Sequence, residues 1–137
     1  MSRREEAELL KRRGLGFLEA VDFHMARGHN DLAAFSLEQA IQLTLKSALL
    51  KRGFDYPRTH SPRRLMELLI EIDETLRAKL KDLMGKYLLE LALLEDAYVT
   101  SRYVARDFSP EEIERLSSCV EEVLELVGKD SDRGSQA

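Results

Sequence analysis

Polar residues at helical spacing interrupt the most apolar stretch of the sequence, which runs from Asp31 to Gly53. Glu38, Gln42 and Lys46 follow one another at intervals of four residues, so they share one face of a helix. A polar side chain on such an apolar helix needs a hydrogen-bond partner or an opening to solvent. We therefore interpret these three residues as one half of a candidate functional site.

The other half is predicted on a second helical stretch, whose apolar stripe continues through Tyr98 and ends on Arg102. Arginine suits phosphate because its planar guanidinium donates two hydrogen bonds at once. Lys46 and Arg102 together therefore predict a cleft that receives an anion, and His60 is able to reach it from a loop. The same residues are equally typical of an internal salt-bridge network or a dimer seam.

No sharply specified catalytic or metal motif accompanies these residues. A carboxylate-bridged metal site in a helical bundle uses Glu-x-x-His pairs, and none occurs around His24, His29 or His60. Glycine-rich phosphate loops and G-x-S-x-G turns are also missing from the sequence. We expect neither a metal site nor a cofactor.

The hydrophobic period is helical throughout, and no strand-like alternation competes with it. The stretch from Asp31 to Gly53 is apolar on almost every side, which predicts a helix at the centre of the domain. The other predicted helices cover about Arg3 to Arg27, a short segment from Pro62, the long pattern from Leu76 to Arg102, and a last segment from Pro110.

Residues with capping side chains mark the predicted helix starts. Ser61 and Ser109 each precede a proline, which is typical of an N-cap followed by the first helical residue. Glu112 completes a capping box with Ser109. Asn30 or Asp31 is expected to cap the central helix.

Size and composition predict one soluble domain. The chain has 137 residues, is 44% hydrophobic and carries a net charge of −4, which argues against a general polyanion binder. Cys119 is the single cysteine, so it has no disulfide partner in the chain and is expected to be a packed thiol. No signal-like or membrane-spanning run occurs, which predicts a cytoplasmic protein without a membrane partner. The 34% of charged residues would suit a thermophile.

Three blocks of the sequence resemble the HEPN family of small helical domains. The blocks are AFSLEQAIQLTLKSALLKRG at Ala34 to Gly53, THSPRRLMELL at Thr59 to Leu69, and DAYVTSRY at Asp96 to Tyr103. The resemblance covers about Gly14 to Val127. It implies an all-α fold, an up-and-down four-helix bundle with an additional short helix, usually present as a homodimer.

The resemblance also implies a function and a partner. Many bacterial and archaeal relatives pair with a separately encoded minimal nucleotidyltransferase in a toxin–antitoxin-like system. Some relatives are metal-independent ribonucleases, in which an arginine is followed a few residues later by histidine. Here no histidine follows Arg102 before the helix predicted at Ser109. Asp107 would replace it only with a strongly raised pKa, so we expect no efficient nuclease activity.

These observations predict a single domain over residues 1–127 and a disordered polar tail over 128–137. The leading hypothesis is a module that binds a nucleotide, RNA or a nucleotidyltransferase partner. Its expected binding residues are Glu38, Gln42, Lys46, His60, Tyr98 and Arg102. Two alternatives stay open: a degenerate ribonuclease acting through Arg102 and Asp107, and a plain dimeric assembly module.

Overall fold

The computed structural model describes the backbone of residues 1–103 and 107–136, and the side chains of these residues outside 98–106 and 129–137. Within these ranges the chain forms α-helices and no strand, which confirms the predicted all-α class. The helices are α1 (Arg3–Ala26), α2 (Asn30–Lys51), α3 (Pro62–Ile72), α4 (Glu74–Lys86), α5 (Leu88–Tyr103) and α6 (Pro110–Gln136).

Helix α2 is the centre of the bundle. It packs against α1 over most of its length and also contacts α3, α5 and α6. Leu37, Ile41, Leu45 and Leu49 are at most 1% exposed, because every side of the helix meets another element. The interpretation of this stretch as the core helix is therefore confirmed.

Side chains cap the starts of α1, α3, α4 and α6, and at α1 the hydroxyl of Ser2 accepts from the N–H of Glu5. The hydroxyl of Ser61 accepts a hydrogen bond from the backbone N–H of Arg64, as predicted for the start of α3. Ser109 and Glu112 exchange the two hydrogen bonds of a capping box at the start of α6. Asp73, which stands between α3 and α4, accepts from the N–H of Thr75.

The predicted cap of α2 is wrong. The helix begins at Asn30, its N-cap position is His29, and no side chain caps it there. Asn30 instead donates a hydrogen bond of 2.8 Å from Nδ2 to the carbonyl oxygen of Phe108. The side chain is used in a tertiary contact, because the start of α2 lies beside the segment that leads into α6.

The continuous helix predicted from Leu76 to Arg102 is also wrong, because the chain breaks at Tyr87 into α4 and α5. The N–H of Tyr87 bonds to Leu83, and the N–H of Leu91 bonds to Tyr87. Periodicity shows which face is buried but not whether the helix axis is continuous. Tyr87 is partly buried against the core, so the apolar stripe continues through the break.

The single thiol and the C-terminal segment complete the fold. Cys119 is buried in the core, as predicted, and burial together with the charge of Glu90 raises the pKa of its thiol to about 12.

Helix α6 extends to Gln136, and the disorder expected for residues 128–137 stays a prediction. Among the described residues, no helix has the length and apolar character needed to cross a membrane.

Candidate functional site

The polar residues of α2 form a buried hydrogen-bonded cluster. Glu38 is 0% exposed and Gln42 is 3% exposed. One carboxylate oxygen of Glu38 accepts a hydrogen bond of 2.7 Å from Nε2 of Gln39, and the other accepts from Nε2 of Gln42. Side-chain amides therefore meet the buried carboxylate on α2 itself, which lowers the cost of burying it.

Gln42 connects this cluster to the protein surface. Its Nε2 lies 3.3 Å from Nδ1 of His60, which belongs to the loop of residues 52–61 between α2 and α3. The His60 side chain is exposed. A chain of polar contacts thus runs from the fully buried Glu38 through Gln42 to an imidazole at the surface.

Lys46 lies one turn further along the same face of α2, beneath Tyr56 of the loop. Its Nζ is 5.2 Å from the centre of the Tyr56 ring, a distance typical of a cation–π contact. Burial lowers the pKa of the Lys46 ammonium, and the charge of Glu38 partly opposes this shift. Lys46 makes no salt bridge with any side chain that the structure describes.

The first turn of α1 holds the beginning of the loop. The hydroxyl of Tyr56 donates a hydrogen bond of 3.1 Å to Oε1 of Glu6. Burial raises the pKa of Tyr56, and the hydrogen bond to Glu6 adds to the shift. Arg3 binds the carbonyl oxygen of Gly53 and, at 3.0 Å, the carboxylate of Asp55. Tyr56 is therefore fixed over Lys46 by residues far away in the sequence.

Helix α5 holds the end of the loop. Ser61 donates a hydrogen bond of 2.6 Å to Glu95, and Arg63 binds both oxygens of the same carboxylate at 2.8 and 2.7 Å. The hydrogen bond from Arg63 lowers the pKa of Glu95 despite partial burial. His60 directly precedes Ser61, so its backbone is anchored to the helix that also carries Tyr98 and Arg102.

The predicted residues therefore divide into three groups. Glu38, Gln42 and His60 lie together, and Lys46 lies on the same face of α2. Tyr98 and Arg102 belong to α5, but their side chains lie outside the described residues, and their approach to Lys46 stays a prediction. Asp107 is exposed before α6. The described residues contain no group of three His, Cys, Asp or Glu side chains that could hold a metal ion.

Sequence reasoning missed Tyr56 as a member of this group. Its position in a loop after Gly53 carries no helical period, and its hydrogen-bond partner Glu6 is 50 residues away in the sequence. A second feature that the sequence did not predict is an open, mostly apolar groove of about 440 Å³ between α1 and α2. It is lined by Gly16, Phe17, Ala20, His24, Leu32, Phe35, Ser36 and Arg13, and it shares no residue with the polar cluster.

A half-buried ammonium and an exposed imidazole are both groups that can donate a hydrogen bond to an anion, and Gln42 lies between them in the sequence of contacts along α2. Comparison with known proteins gives one result that bears on this chemistry. The model of a family described as "HEPN domain" matches residues 7–130. No curated protein and no solved structure matches the chain.

Proposed function

This chain belongs to the HEPN domain family, and we propose that it is a binding module for a phosphate group of a nucleotide or of RNA. Family membership supports a nucleotide- or RNA-related module in general terms. The residues proposed to meet the phosphate are Lys46 and His60, with Gln42 and Glu38 behind them. Arg102 and Tyr98 of α5 are proposed to complete the site.

The observation that carries the proposal is the environment of Lys46. Its ammonium is partly desolvated, lies over the Tyr56 ring and has no carboxylate within salt-bridge distance among the described residues. Burial of this ammonium costs free energy that the charge of Glu38 offsets only in part, and an anionic ligand would recover more of it. A purely structural lysine would instead be expected to pair with a carboxylate or to extend into solvent.

A thermal-shift titration tests the proposal directly. The protein is titrated with AMP, ATP, GTP and a short single-stranded RNA, and each ligand-induced change in melting temperature is compared with the unliganded protein. At a concentration of about 100 times Kd, a ligand that binds only the folded state stabilises it by about 2.7 kcal/mol. For a domain of this size that corresponds to a rise of roughly 8–15 °C.

The matched variants are Lys46→Gln and Lys81→Gln. Lys81 is exposed on α4 and has the same charge, so it controls for the net charge of the protein. We expect Lys46→Gln to weaken binding about 10- to 100-fold, the usual value of one charge-assisted hydrogen bond, and Lys81→Gln to leave it unchanged. The ligand-induced shift is the relevant quantity, because removing a half-buried charge also changes the stability of the unliganded protein. A titration in which no ligand shifts the melting temperature would refute the proposal.

The proposed biological setting is a homodimer paired with a minimal nucleotidyltransferase in a toxin–antitoxin-like system. Sedimentation of the purified protein tests dimerisation, and co-purification with the product of the adjacent reading frame tests the pairing. We further propose that the chain does not cleave RNA efficiently, since the sequence has no histidine between Arg102 and Pro110, where α6 begins. Incubation with mixed RNA, using Arg102→Ala as the control, would overturn this point if arginine-dependent cleavage appeared.

A further inference from the structure

The orientation of the Gln42 side chain is determined by a buried carboxylate. Glu38 is 0% exposed and takes the Nε2 groups of Gln39 and Gln42 as hydrogen-bond donors. Both oxygens of Glu38 therefore accept from an amide nitrogen, one from Gln39 and one from Gln42, so the NH2 group of Gln42 faces Glu38.

The orientation of Gln42 in turn determines which nitrogen of His60 carries the proton. An amide NH2 group has two hydrogens and only donates. One hydrogen of Gln42 is directed to Glu38, and the same nitrogen lies 3.3 Å from Nδ1 of His60. Nδ1 must then accept, and a neutral imidazole whose Nδ1 accepts carries its proton on Nε2.

We propose that Glu38 and Gln42 are positioning residues that fix His60 as an Nε2–H hydrogen-bond donor at the surface. The consequence for the ligand rests on the proposed function. Lys46 also only donates, so both groups of the site select a ligand that presents hydrogen-bond acceptors. Phosphate oxygens satisfy this requirement, whereas a protonated amino group offers no acceptor to either donor. His60 is then a residue that determines ligand specificity.

Nuclear magnetic resonance of the histidine rings tests the fixed tautomer without any ligand. The chain contains three histidines, and the signals of His60 are identified by their loss in His60→Gln. At neutral pH we expect long-range proton–nitrogen correlations in which Nε2 of His60 is protonated and Nδ1 is not. A His60 ring with the proton on Nδ1, or with the averaged signals of two mixed tautomers, would overturn the proposal.

Two variants show whether Gln42 and Glu38 cause the preference. Gln42→Leu removes the donor to His60, and Glu38→Gln keeps the shape of the side chain but allows the Gln42 amide to turn over. In both variants we expect averaged His60 signals. Unchanged signals in folded variants would show that another group fixes the ring. The wild-type spectrum alone decides the tautomer if either variant fails to fold.

Binding of AMP tests the consequence for the ligand. The amide nitrogen of glutamine reaches the position of Nε2 in histidine, whereas that of asparagine reaches the position of Nδ1. We expect His60→Gln to bind AMP within about 3-fold of wild type and His60→Asn to bind about 10-fold more weakly. Equal affinities of the two variants would overturn the role in specificity. If wild type binds none of AMP, ATP, GTP and the short RNA, the proposed function is refuted, while the tautomer measurement would still decide this inference.

Discussion

Replacement of Gly14 by alanine tests the closest approach of two helices in the bundle. Gly14 lies on α1 where it faces α2. A Cβ at this position would lie 2.8 Å from Oγ1 of Thr44 and 3.2 Å from the carbonyl oxygen of Ala40. The first distance is shorter than a normal van der Waals contact, and the second involves backbone of the central helix. Thr44 has little room to adjust, because it is buried and β-branched.

Two opposing contributions set the magnitude. Alanine is better than glycine in a helix by about 1 kcal/mol. Overpacking of a tight contact costs about 1–3 kcal/mol. Because both α1 and α2 would have to move, we place the cost towards the upper end and expect Gly14→Ala to lower the free energy of unfolding by about 1–2 kcal/mol.

Gly16 on the same helix provides the matched control. A Cβ at Gly16 would meet no heavy atom within 4 Å. Gly16→Ala therefore gains the helix propensity without the clash, and we expect it to raise the free energy of unfolding by up to about 1 kcal/mol. The two substitutions are chemically identical, so the difference of about 2–3 kcal/mol isolates the contact between α1 and α2.

Urea denaturation followed by circular dichroism measures both values. The midpoint should fall for Gly14→Ala and rise for Gly16→Ala, while the slope with urea stays constant because the same surface is exposed on unfolding. Thr44→Ala should reduce the cost of Gly14→Ala in a double-mutant cycle, since it removes the closest atom. Equal stabilisation by both glycine substitutions would refute the argument that Gly14 is required for this helix approach.

Three further predictions follow from single side chains. Burial opposes ionisation of Asp73, but hydrogen bonds from Thr75 and Arg52 lower its pKa below 3.8, so the ionised group stabilises the folded state above that pH. The loss of stability caused by Asp73→Asn should therefore shrink as the pH falls through the folded-state pKa. A loss that does not depend on pH in urea unfolding would contradict this. Cys119, with its pKa raised to about 12, should react with iodoacetamide only after denaturation, and rapid modification of the native protein would disprove its burial. Ser109→Ala removes the cap of α6 and should lower the free energy of unfolding by about 1 kcal/mol, whereas no change in the urea midpoint would show that the capping box contributes nothing.

The predicted helix starts show which structural information is local. Ser61, Ser109 and Glu112 were identified correctly because a cap and the N–H groups that it satisfies lie within one turn. The sequence predicts a cap at Asn30, but the side chain of Asn30 bonds to Phe108, which is distant in sequence. A residue type that suits a cap equally suits a tertiary hydrogen bond, and only the folded chain distinguishes the two uses.

The candidate site was predictable in part for the same reason. The spacing of Glu38, Gln42 and Lys46 on one helix places them on one face whatever the rest of the chain does. Their contacts with His60 and Tyr56 depend on the path of the loop after α2, which no periodicity describes. The hydrogen bonds of Glu38 to the amides of Gln39 and Gln42 depend on side-chain orientation, which spacing alone does not determine.

The two anchors of the loop have a practical consequence for anyone who handles this protein. The position of Tyr56 depends on Arg3 and Glu6, which belong to the first turn of α1. Removal of residues 1–6 would therefore remove the partners of Gly53, Asp55 and Tyr56, and with them the contacts that hold Tyr56 over Lys46. The measurements proposed for Lys46 need a protein in which the first turn of α1 is intact.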